Sequence, residues 1–211
     1  VFSYIARTSE HRDELFRFRN RLHEAILHSL NVYRQEHSTE TIYAFALVGG
    51  QCGNYLGYQL MTEQRLDSVA EYYYEQGYRH KYTSDNAEEQ LQKIRTSMRW
   101  QNPEDDWHMD DFADSFEIRQ SFEELVYRKN AFGEDARHLV EFCCDDVLAS
   151  LHQFDEWRRN SELHSIILGV QSDEADFFTC CVRCNPFHLA TKLWHERFTG
   201  NELDRSIKPQ D

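Results

Sequence analysis

Proline and glycine are scarce in this chain, three and eight among 211 residues. Collagen-like and low-complexity chains are rich in one or both, so this composition excludes them and favours an ordered globular fold. Long apolar runs are missing too: no stretch reaches the roughly 18 residues that a membrane-spanning helix needs. The opening "VFSYIARTSEHRDEL" lacks the basic-then-apolar order of a secretory signal. The expectation is a soluble, cytoplasmic protein.

Positive charge is also in short supply. There are 23 Lys and Arg against 37 Asp and Glu, a net charge of −14 and a pI near 5.2. Such a surface repels phosphate backbones and anionic lipid alike. No basic patch offsets the average, since the densest cluster, "RFRNR" from Arg17 to Arg21, lies in a helical pattern that also carries acids. Neither nucleic acid nor membrane is therefore expected as a partner. A cationic protein is, because opposite charge steers and accelerates association.

The familiar chemical signatures are absent. No G-x-G-x-x-G, P-loop, G-x-S-x-G elbow or H-E-x-x-H occurs, and "GGQCGN" lacks the lysine and following helix of a phosphate loop. His188 and His195 stand seven apart without a carboxylate at a useful interval, which suits surface or packing histidines. No catalytic residue and no cofactor is expected. The six cysteines are Cys52, Cys143, Cys144, Cys180, Cys181 and Cys184. Their adjacent pairs in apolar surroundings do not form an evenly spaced disulfide framework, and buried reduced thiols are the reading. Cys181 and Cys184 have the spacing of half a zinc site, with Cys143 and Cys144 as the other half. Adjacent cysteines on a helix point about 100° apart, however, which makes a poor metal hook, and no metal is expected. A redox role stays open because Cys184 precedes the expected start of a helix.

Apolar residues make up 40% of the chain and aromatics 14%, enough to bury one core. A single domain over residues 1–200 with a frayed tail at 201–211 is expected. Leu15, Phe18, Leu22, Ile26, Leu30 and Tyr33 recur at helical steps and predict a long amphipathic helix over about 9–36. "TIYAFALVGG" and "NYLGYQLMT" read as neighbouring strands joined by the turn "GGQCGN". Helices are expected from Thr62 to a stop at Gly77, from about Asn86 to Met98, from Phe112 to about Lys129, and from Glu134 to Trp157. "LHSIILGVQ" is the clearest strand, "DFFTCCVRC" is read as a further strand, and "NPFHLATKLWHERF" as a helix with Pro186 at its start. Few strands among long helices define an α+β class, a small, mainly antiparallel sheet packed against several long amphipathic helices.

The segment from Glu104 to Glu117 holds seven carboxylates, three aromatic rings and one histidine. Acid–base work by paired carboxylates would need burial or charged neighbours to split their pKa values, and a polar run of acids lies mostly in water. Interleaved Trp107, Met109, Phe112 and Phe116 favour a partner surface, because aromatic anchors ringed by charge supply binding energy. The expected partner-binding set is Glu104, Asp105, Asp106, Trp107, Asp110, Asp111, Phe112 and Asp114. An unrecognised enzyme site near Arg99, Trp100, Trp107 and His108 is the alternative, and a self-associating regulatory subunit is a third reading. Arg99 and Trp100 also admit a structural account, Trp as core filler and Arg tying down the acidic loop.

Read together, "IYAFALVGG" with the following "GYQLMTEQRL", "MRWQNPEDDW" and "HSIILGVQSDEADFF" ahead of "NPF" resemble a bacterial domain-of-unknown-function family, number 4303. The middle segment matches an Arg-Trp-x-x-Pro-Glu-x-x-Trp pattern, and the resemblance spans about residues 10–187. "TCCVRC" and the length of the tail depart from the family pattern. The resemblance transfers no catalytic residue. It does imply the context of small acidic immunity proteins, whose partner is a basic toxin domain, a nuclease for example.

Overall fold

A computed structural model describes residues 9–49, 56–78, 86–99, 108–110, 112, 117–118, 120–121, 136–171, 177–193 and 195. In chain order the elements are α1 (Ser9–Glu36), β1 (Ile42–Gly49), β2 (Leu56–Thr62), α2 (Glu63–Glu75), α3 (Ala87–Arg99), β3 (His108–Asp110), α4 (Ala136–Leu151), α5 (Asp155–Arg159), α6 (Ser161–Ser165), β4 (Ile167–Gln171) and α7 (Phe177–Cys184). A last helical stretch, 187–193, follows Pro186. The fold is α+β. The four strands form one mixed sheet in the order β3-β2-β1-β4, with two antiparallel pairings and a parallel one between β1 and β4.

The sheet is the middle layer. Every residue of β2 and the first six of β1 are buried, as strands covered on both faces must be. On one face Phe45, Leu47, Tyr58 and Leu60 pack with Phe18, Leu22, Ile26 and Leu30 of α1 and Val147, Leu148 and Leu151 of α4. On the other, Ala44, Ala46 and Met61 meet Leu66 of α2, Leu189 and Leu193. The register slips between Ile42 and Ala44. A bulge there places Tyr43 and Ala44, consecutive residues, in the same core cluster, which strict alternation would forbid.

Several expected elements match closely. The α1 helix runs to Glu36, the β1–β2 pair is antiparallel, and α2 begins directly after Thr62. Its end is closed by Tyr78 N–H donating to Tyr73 C=O around Gly77, whose φ of 92° only glycine adopts without strain. The proposed turn "GGQCGN" beyond Gly49, the tail at 201–211 and most of the helix expected up to Lys129 lie outside the described residues.

Two expectations are corrected. "DFFTCCVRC" is the helix α7, not a strand. Cys180, Cys181 and Cys184 are buried while Val182 and Arg183 are exposed, a spacing of one and four that suits a helix flank and no strand. The helix expected through Trp157 ends at Leu151. There Gln153 N–H and Phe154 N–H donate to the carbonyls of Ser150 and Leu151, tightening the last turn. The chain then restarts as α5, which sends Trp157 fully into the core and leaves Phe154 at the surface against the His23 ring. A straight helix would have put Phe154 on the apolar side instead.

Candidate functional site

The connection from α1 to β1 is clamped to the start of α2. Thr41 N–H donates to Gln64 Oε1 at 2.8 Å, Gln64 Nε2 donates to Thr39 C=O, and Glu63 N–H donates to Thr41 C=O. Thr62 caps the helix, its Oγ1 accepting from Arg65 N–H at 3.1 Å. The same hydroxyl donates to Glu40 Oε2 at 2.7 Å, and Tyr33 Oη donates to that oxygen at 2.9 Å. His37 Nδ1 lies 3.2 Å from the other oxygen, Oε1. Burial alone would raise the Glu40 pKa, but the hydrogen bonds from Thr62, Tyr33 and His37 outweigh it and hold the carboxyl below its usual range. Tyr33 moves the other way, pushed up by burial and then by its bond to Glu40, so it stays a protonated donor.

Around this half-buried carboxylate opens a cleft of about 420 Å³. Tyr33, His37, Arg65, Tyr72 and His108 are among the residues that line it. The Tyr33 and His37 rings stack at 4.3 Å, and the His108 ring lies 5.1 Å from Tyr33 and 6.3 Å from His37. His108 reaches the cleft because β3 pairs with β2, Leu60 opposite His108 and Tyr58 opposite Asp110. The sequence marked His108 alone of this group. A Tyr33-x3-His37-x2-Glu40 spacing at the end of a helix was the available signal.

The acid stretch divides. His108–Asp110 is fixed as the edge strand β3. Phe112, expected as an exposed partner anchor, is 1% exposed and packs on Tyr58 with ring centroids 5.2 Å apart. It is core, because a large apolar ring gains most by leaving water. Glu104, Asp105, Asp106, Trp107, Asp111 and Asp114 lie outside the described residues, as does Trp100, and for Asp110 only the backbone is described. Arg99, at the end of α3, is tied to the start of α2. Its guanidinium donates to both oxygens of Glu63 at 2.6 and 2.7 Å and lies 4.3 Å over the Tyr43 ring, a forked charge-assisted pair.

Cys144, Cys180, Cys181 and Cys184 are buried thiols that form no disulfide. Burial, then the nearby Asp145, raises the Cys184 thiol well above its ordinary value, and the thiol donates to Asp145 Oδ1 at 3.4 Å. A protonated donor in the core is a poor nucleophile. Among the described residues no group of three or more His, Cys, Asp or Glu is arranged to hold a metal ion, and no helix is long and apolar enough to cross a membrane. Cys143, the fourth thiol of the weighed zinc set, has its side chain outside the described residues.

The architecture is thus an α+β domain with helices on both faces of a small sheet and a polar cleft beside one edge strand. A family model, Domain of unknown function (DUF4303), matches residues 22–184, and the chain belongs to that family. No curated protein and no solved structure matches the chain.

Proposed function

We propose that this chain is a non-enzymatic acidic binding protein of the cytoplasm, most concretely an immunity protein that neutralises a basic bacterial toxin by occluding its active site. The observation that carries the reading is the anchoring of an acid-rich segment in a chain of net charge −14. The ladder between β2 and β3 and the burial of Phe112 hold residues 108–110 and 112 against the domain. Carboxylates next to fixed points lose less conformational freedom on docking than those of a loose loop, so more of their attraction to a cationic partner survives as affinity. Trp107 takes the role of apolar anchor that Phe112 cannot fill.

The test is a triple reversal, Glu104→Lys, Asp105→Lys and Asp106→Lys, assayed by capture of a basic toxin domain from the native host at low and moderate salt. Binding should fall by at least about a hundredfold, at about 1 kcal/mol for each of three charge contacts turned from attraction to repulsion, with thermal stability retained. Unchanged affinity would sink the acid-stretch mechanism. One observation favours a second reading, an enzyme with a site near Arg99, Trp100, Trp107 and His108. His108 lines a cleft that also holds a carboxylate-oriented imidazole, His37 on Glu40, an arrangement suited to a general base.

A further inference from the structure

The end of α1, the loop that follows it and the short helix α6 border a second cavity, of about 380 Å³. Of the residues lining the cleft described above, it shares only Glu40. That carboxylate is already committed, accepting from Thr62 and Tyr33 and facing His37. The charges left to this cavity are Arg34 and Glu162, which are joined by one bond, Arg34 Nη2 donating to Glu162 Oε2 at 2.5 Å. A guanidinium is a fork of N–H donors, and a carboxylate has a second oxygen. The rest of the Arg34 fork and Glu162 Oε1 make no further hydrogen bond among the described residues. The pair therefore offers donors and an acceptor side by side.

The frame around the pair is held in place. Asn160 Oδ1 accepts from Glu162 N–H at 3.0 Å and from Leu163 N–H at 3.3 Å. On the loop, Thr41 N–H and Thr39 C=O are both bonded to the Gln64 side chain. The hydroxyls of Ser38, Thr39 and Thr41 line the cavity and spend no bond on other described residues. Ile42, Leu163 and Ile166, all buried, supply the apolar part of the lining. The cavity thus combines one cation, one anion, neutral hydroxyls and an aliphatic surface.

We propose that this cavity binds a free α-amino acid with an aliphatic side chain. Its carboxylate sits on the Arg34 fork, its ammonium on Glu162, and its side chain against Ile42, Leu163 and Ile166. A zwitterion satisfies both members of the pair at once. Laid head to tail beside them it closes a ring of alternating charge, and no existing bond has to break. An anion alone would face Glu162 and a cation alone would face Arg34, so each meets a like charge. A neutral sugar would leave both charges unanswered, and no described lining residue offers an aromatic ring for its face. The volume lies near the lower end of the range for small-molecule sites, about 300–1,000 Å³. Because the walls are already fixed, little ordering opposes binding. The Arg34–Glu162 pair also lines a wider hollow of about 660 Å³, which opens its charges to solvent. Arg159 in that hollow is paired with Asp155 and does not compete for the carboxylate of Glu162. The site goes beyond the partner reading, since it needs neither the acid stretch nor a toxin.

The experiment titrates L-leucine into the full chain at neutral pH and follows the backbone amides by NMR. Saturable shifts are expected at Thr41, Glu162 and Leu163, with none at Tyr72 in the neighbouring cleft. Isocaproate lacks the ammonium and leucinamide lacks the carboxylate. Each should bind at least about tenfold more weakly than leucine, having lost one charge-assisted contact. Glycine, with no side chain to bury, should also bind at least about tenfold more weakly. Arg34→Met should erase the preference for leucine over leucinamide, and Glu162→Gln the preference over isocaproate. Surface ion pairs add little stability, so both variants should melt as the native chain does. The analogue series on the native chain decides the matter without either variant. No saturable shift, or leucinamide, isocaproate or glycine binding as tightly as leucine, would overturn the proposal. Leucine binding should survive the Glu104, Asp105 and Asp106 reversals, and its loss there would overturn the assignment to this cavity.

Discussion

Asn185 is a residue whose removal tests how the sheet's second edge is closed. Its side chain is buried and acts as a strand-like neighbour to β4. Oδ1 accepts from Leu168 N–H at 2.9 Å, and Nδ2 donates to Leu168 C=O at 2.6 Å and to Cys181 C=O at 2.8 Å. His152 Nε2 adds a contact to Oδ1 at 3.3 Å, which requires the Nε2–H tautomer because a carboxamide oxygen only accepts. One amide thus joins β4, α7 and the turn after α4. In Asn185→Ala the Cys181 carbonyl keeps the backbone bond from Asn185 N–H, but both Leu168 groups lose their Asn185 partners in a buried place. At about 1–3 kcal/mol for each orphaned group the cost is about 4 kcal/mol, a large share of a domain's net stability.

The assay is urea unfolding at neutral pH, read as a shift in midpoint at constant slope, with hydrogen exchange at the Leu168 amide as a local probe. Leu168 should lose protection beyond the global change. Asn185→Asp keeps the acceptor for Leu168 N–H but sets a carboxylate oxygen against two carbonyls, and should cost at least as much. A loss below about 1 kcal/mol in the alanine variant, or a Leu168 amide as protected as before, would refute the rung interpretation.

Phe112→Ala should destabilise the fold by about 3–5 kcal/mol, the usual cost of emptying a buried aromatic site. Were the ring an exposed anchor, the variant would keep its melting temperature and lose only partner affinity. His152 gives a pH test: burial, opposed only by its bond to Asn185, lowers its pKa from 6.5 to about 4. The native state then binds fewer protons than the unfolded one, so the contribution is complete above about pH 6.5 and disappears as pH falls toward 4. It amounts to about 2–3 kcal/mol after allowance for screening. His152→Gln should remove that slope from the stability curve, and parallel curves for the two proteins would contradict the assignment.

Much of the framework was legible because periodicity reports burial directly. The stripe from Phe18 to Tyr33 gave α1, and the apolar runs around Phe45 and Leu60 gave the two central strands. What failed was local. "DFFTCCVRC" is apolar enough for a strand, and only the one-and-four spacing of Cys180, Cys181 and Cys184 betrays a helix lying beside the sheet edge. The strand β3 was invisible because three residues carry too little pattern, and its pairing depends on β2, some fifty residues earlier. Phe112 looked like an anchor because its sequence neighbours are acids, whereas its spatial neighbours are Tyr58 and the core. The "NPF" motif carries Asn185, whose amide bonds to β4 and α7, a role that no composition or spacing could reveal.

The cleft was missed for a related cause. Its parts come from α1, the following loop, α2 and β3, and their chemistry is created by one buried contact. Thr62 Oγ1 does two jobs at once, accepting from Arg65 N–H to start α2 and donating to Glu40. Through Glu40 the same hydroxyl helps to set Tyr33 and His37, so the bonds that begin a helix also shape a site. This arrangement dictates how the site must be probed. Replacing Thr62 or Glu40 would leave Tyr33 without its acceptor or α2 without its cap, and a loss of binding would then say nothing about contact with a ligand.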